Sequence, residues 1–159
     1  MRKKLCLFVV LAILVFMVPS CDDGDSTAPQ TPDISGIWKV QKISISGELK
    51  NVVSPDNASY SAITIEIPET TQGYMGGHTF QNTMGFEFKI KEDRQIILKH
   101  YGGSRGEEDK WGYAFQDHIM FNVRKFDISK NNELIFMDSQ NNPLIVFVKT
   151  VALDWEQEN

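Results

Sequence analysis

Short runs of alternating apolar and polar residues constrain this chain more than any other feature. Residues 37–45 (IWKVQKISI) and 62–67 (AITIEI) put apolar side chains at every second position over most of their length. That period places them on one face of a pleated strand, with polar residues on the other. Residues 79–91 read as extended structure, with Gly85 as a turn or bulge and Phe86, Phe88 and Ile90 on one face. Residues 95–99 (QIILK), 126–128, 133–137 (ELIFM) and 144–149 (LIVFVK) read as further strands. The last three are joined by the Asn-containing turns 130–132 and 140–143, and should form an antiparallel meander. Glycine, proline and serine leave 48–61 and 69–77 as loops.

One segment has a different period. Trp111, Phe115, Ile119 and Asn122 recur at helical spacing. Ser104 and Glu107 fit a capping box, and Glu107, Glu108 and Asp109 suit a helix first turn. The expected fold is therefore a β-rich α+β domain: a strongly curved antiparallel sheet or partial barrel of about seven strands, with one helix near residues 105–122. Trp38, Phe86, Phe88, Phe115, Phe136 and Phe147 are its expected core.

The first residues follow another logic. Arg2, Lys3 and Lys4 precede an apolar run over residues 5–18, then Val18-Pro19-Ser20-Cys21, then Asp22, Asp23 and Asp25. The run is shorter than the about 20 residues that span a bilayer. A basic start, a short apolar middle and a small residue before the break mark a cleaved signal rather than a signal-anchor helix, which Pro19 would interrupt. The segment resembles a bacterial lipoprotein signal with its lipobox. Pro19 departs from the commoner small residue. The resemblance implies residues 1–20 as signal peptide and Cys21 as the lipidation site, carrying a thioether-linked diacylglycerol and an N-acyl chain. More than one acyl chain gives stable anchoring. The implied partner is the membrane, and the implied location is the cell envelope, at the periplasmic or surface face of the outer membrane. A similar acidic run marks surface-exported lipoproteins in some Gram-negative groups. Residues 21–33, acidic and with Pro29 and Pro32, read as a flexible tether, and residues 34–159 as a single domain.

Composition narrows the function. The net charge is −5, and losing Arg2, Lys3 and Lys4 with the signal makes it about −8. Such a chain is a poor match for nucleic acid, where basic residues must neutralise phosphates. Of the two cysteines, Cys6 lies in the signal and Cys21 is the lipid site, which leaves no thiol for a disulfide, a metal or a nucleophile in the domain. His78, His100 and His118 have no nucleophile or acid at a catalytic spacing, and His118 beside the helix's apolar face reads as a core histidine bonded to backbone. There is no H-E-x-x-H, and the run at Asp22–Asp25 lacks the closing glutamate of a calcium loop. No metal, no cofactor and no catalytic residue is expected. The glycine-rich turn at 102–106 with Arg105 could approach an anion, but Glu107, Glu108 and Asp109 would repel it. Tyr60, Tyr74, Tyr101 and Tyr113 lie in loops or on the helix border, where they could meet an envelope protein or a glycan.

Two family resemblances complete the sequence. Gly36-Ile37-Trp38 is similar to the G-x-W of lipocalin-like proteins, which implies a barrel and the alternative role of carrying a small apolar ligand. A longer stretch, residues 36–148, resembles the META-domain lipoproteins. It runs through Gly36-Ile37-Trp38, Gly77-His78-Thr79-Phe80-Gln81-Asn82, Ser104 before the acidic helix, and the strands around Phe126, Leu134 and Phe147. The family's Gly-Cys-Asn signature keeps only Asn82 here. This resemblance implies a curved sheet crossed by one helix, and a non-catalytic role in stress resistance or surface contacts.

Overall fold

The computed structural model describes residues 31–104 and 106–151. Nine strands form one antiparallel sheet in the order β6-β5-β4-β3-β1-β9-β8-β7, with β2 paired to β1 off this path. The strands are β1 (Gly36–Ile45), β2 (Glu48–Asn51), β3 (Thr64–Ile67), β4 (Gln72–His78), β5 (Thr83–Ile90), β6 (Ile96–Gly103), β7 (Lys125–Ile128), β8 (Glu133–Met137) and β9 (Pro143–Thr150). Helix α1 (Lys110–Asp117) lies between β6 and β7 in the chain and runs on into a wider turn at His118–Asn122. That turn is closed by the bond from Val123 N–H to His118 O, five residues back, at 2.9 Å.

The sheet is open but strongly curved. Its edge strands β6 and β7 meet only where Gln95 bridges Lys125 and where Ile96 N–H bonds Arg124 O at 2.9 Å. The register shifts between Val40 and Lys42 in β1, between Gly85 and Phe86 in β5, and between Phe136 and Met137 in β8. Each extra residue bends its strand, so the sheet coils around one interior. The first shift is written in the sequence: the buried residues of β1 run Trp38, Val40 and then Ile43, a step of three where the period of two slips.

The interior is filled by aromatic rings. Phe80, Phe86, Phe88, Phe115, Phe126, Phe136 and Phe147 are each at most 1% exposed. Phe147 of β9 meets Phe115 of α1 edge-on at 6.4 Å and Phe136 of β8 at 5.0 Å. All six aromatics expected in the core are there. At one end, Trp38 Nε1–H donates to Ile34 O at 2.8 Å, and Lys149 Nζ lies 5.5 Å from the centre of its ring.

Three expectations need correction. The described residues hold nine strands against the about seven expected, because β2 and β4 form where loops were expected. β2 is exposed at all four residues and has no buried face to read. The two-residue turn Ser46-Gly47 (φ 56° and 83°) folds it onto β1. In β4 only Met75 and His78 are buried among glycines and polar residues, and pairing with β3 and β5 on its two sides creates the strand. The extended stretch at 79–91 begins as a turn, with Thr79 N–H bonded to Asn82 O, before β5 starts. The helix starts later than expected: Asp109 caps it, accepting from Gly112 N–H at 2.7 Å, and Ser104 belongs to the sheet edge, where it accepts from Thr83 N–H at 2.9 Å. The meander β7-β8-β9 stands as expected.

Candidate functional site

The largest concentration of buried polar groups sits where the β4–β5 turn meets the start of α1. His78, at the end of β4, is fully buried and stacks on Tyr60 with ring centres 4.2 Å apart. Its Nδ1 faces Thr79 O at 3.1 Å, so Nδ1 carries the proton and donates. Nε2 is then an acceptor for the Thr64 hydroxyl at 2.9 Å. The next residue, Thr79, accepts from Gln81 N–H and Asn82 N–H and donates to Glu108 Oε1 at 2.6 Å. Asn82 clasps the segment before the helix. Its Oδ1 accepts from Gly106 N–H at 2.5 Å and from Ser104 Oγ at 3.1 Å, and its Nδ2 donates to Glu108 Oε1 at 2.7 Å.

Glu108 is the hub. It is only 9% exposed, and Gln116 Nε2 adds a third donor to Oε1 at 2.7 Å. All three donors are neutral. Among the described residues Oε2 is buried without a hydrogen-bond partner, as is Oδ2 of the neighbouring Asp109. Oε2 lies against Gly112, one turn along the helix, where any Cβ would collide with it. Buried polar atoms without partners are rare enough that each calls for a reason.

A cavity of about 530 Å³ opens beside this hub, between α1 and strands β5 and β6. Met84, Phe86 and Met120 supply its apolar wall, and Glu108, Gln116 and Tyr113 line the helix side. His100 stands at the β6 side, edge-on to Phe86 at 5.8 Å.

The residues singled out from the sequence divide between this site and the rest of the fold. Thr79 and Asn82, parts of the stretch that carried the META resemblance, converge on Glu108, while His78 beside them bonds Thr64 and the Thr79 carbonyl. His118 lies elsewhere and bonds Ser44 O at 2.7 Å, the backbone role expected of it. The tyrosines do not gather: Tyr60 is stacked on His78, Tyr74 is 63% exposed on β4, and Tyr113 is 58% exposed on α1. Cys21, the acidic run after it, Arg105 and the Tyr101 side chain lie outside the described residues. Sequence reasoning treated Glu108 as a helix-dipole acid and passed over Gln116. The available signal was the glycine inside the helix: Glu108, Gly112 and Gln116 are four residues apart and share a face.

Among the described residues no three His, Cys, Asp or Glu side chains gather as a metal site, and no helix is long and apolar enough to cross a membrane. No protein-family model and no curated protein matches the sequence. Among solved structures, the chain is similar to one described as the NMR structure of the protein from Burkholderia xenovorans. The TM-score is 0.55 at 14% identity, over 85% of this chain and 100% of that one. At that identity the likeness is one of fold.

Proposed function

We propose that this protein is a non-catalytic, META-like envelope lipoprotein, held at the outer membrane through lipid on Cys21 and acting by contacts in stress resistance or at the surface. The observation that favours this reading over a carrier is the filled interior. Seven phenylalanines at 1% exposure or less occupy the space that a carrier would keep for its ligand. His78 is fully buried, with both ring nitrogens engaged, by Thr79 O and by the Thr64 hydroxyl, which commits it to the fold. The anchor rests on the order of residues 2–25.

Fractionation of cells expressing the Cys21→Ala chain, with mass spectrometry of the membrane-bound form, tests the anchor. Loss of the acylated species and release from the membrane are expected, and a Cys21→Ala protein that stays fully membrane-bound would sink the idea. The lipocalin-like alternative has Trp38 beneath Lys149 in its favour, at one end of the coiled sheet. Native mass spectrometry with lipid extraction discriminates the two. An apolar molecule that co-purifies in defined stoichiometry selects the carrier, and an empty protein selects the META-like reading.

A further inference from the structure

The cavity beside α1 combines features that together define a ligand. Its lining includes a carboxylate, Glu108, that is nine-tenths buried. Three neutral donors on Oε1 bring no countercharge of their own, and among the described residues Glu108 joins no ion pair. A buried charge of this kind is costly unless an opposite charge comes close.

The remaining walls specify what could supply that charge. Met84, Phe86 and Met120 make one side apolar, and the Tyr113 ring stands at the helix side. A methionine and aromatic wall suits a cation carried on a small apolar body, through dispersion and cation–π contact. Asn82 and Ser104, by contrast, have their side chains committed to each other and to the backbone of Thr83 and Gly106. Asn82 holds the carboxylate in place, and neither side chain offers a donor to an anion. The volume, about 530 Å³, is within the range of small-molecule sites.

We propose that this cavity binds a small organic amine, its ammonium head toward Glu108 and its apolar body along Met84, Phe86 and Met120. The site does not depend on the lipid anchor, so it stands or falls separately from the reading of Cys21.

The test is an NMR and calorimetric titration of the purified protein with benzylammonium, benzyl alcohol and inorganic phosphate at matched ionic strength. Benzylammonium should saturate and shift the amide signals of Gly106, Tyr113 and Gln116, with a preference of about tenfold or more over benzyl alcohol. Glu108→Gln should reduce that preference to near unity. If that variant fails to fold, Met120→Trp, which fills the cavity from the half-buried wall without touching the Glu108 network, should abolish benzylammonium binding while the protein stays folded. Equal affinity for the amine and the alcohol would overturn the role of Glu108. Phosphate binding in place of the amine would make the glycine-rich turn an anion site and overturn the proposal. Absence of saturable shifts with any probe would overturn it as well.

Discussion

Replacing Gly112 with alanine sets local preference against tertiary structure. Inside a helix, Gly→Ala is worth about 1 kcal/mol of stabilisation, because alanine loses less backbone freedom on folding. Here the sign should reverse. A Cβ on Gly112 would lie 2.8 Å from Glu108 Cδ and closer still to Oε2. Glu108 would have to swing away, yet Oε1 is held by bonds of 2.6, 2.7 and 2.7 Å from Thr79, Asn82 and Gln116. Bonds to a charged acceptor contribute about 1.5–3 kcal/mol each, and clearing the methyl should break one or two of them. Set against the propensity gain of about 1 kcal/mol, a net loss of roughly 1–3 kcal/mol is expected. Urea unfolding followed by tryptophan fluorescence measures it, with Trp111 on the same helix as reporter. In a Glu108→Ala background the obstruction is gone, and the same substitution should stabilise by about 0.5–1 kcal/mol. A Gly112→Ala protein more stable than the original would refute the claim that Glu108 is locked in this network.

Other perturbations test separate parts of the fold. Gly77→Ala drives a Cβ into the Thr64 carbonyl on the neighbouring strand, where no flexible side chain can yield, so thermal unfolding should show a loss of about 2 kcal/mol or more, or failure to fold. Trp38→Phe keeps the ring packing but leaves the Ile34 carbonyl without its 2.8 Å donor, and should cost about 1–3 kcal/mol in urea unfolding. In the β8–β9 turn, hydrogen bonds from the Asn142 side chain and backbone, and from Gln140 N–H, hold the Asp138 carboxyl below its ordinary value of 3.8. A depressed carboxyl contributes its stabilisation in full above that ordinary value and loses it as pH falls through the lowered folded one. NMR titration should therefore find the Asp138 midpoint below 3.8, and Asn142→Ala should move it upward.

Local sequence determined much of the architecture. Alternation marked β1 and β3, and a three-residue step in the buried pattern of β1 recorded its bulge. The four-residue spacing of Trp111, Phe115 and Ile119 marked the helix, because a chain that must bury one face shows that face as a rhythm. Where a segment buries nothing, as β2 does, or only Met75 and His78, three positions apart, as β4 does, no rhythm exists, and only the pairing strands made it a strand. The helix start was misplaced for a related reason. Ser104 and Asp109 are both competent caps, and the choice fell to tertiary contacts, since Thr83 N–H and Asn82 had already engaged Ser104. The Glu108 site was the least legible part. Its members Thr79, Asn82, Glu108 and Gln116 are spread over residues 79–116, and only sheet curvature and helix placement bring their polar atoms within hydrogen-bond range. Sequence alone could supply the residues and their local periods, but a buried charge and its neighbours exist only once the chain has closed around them.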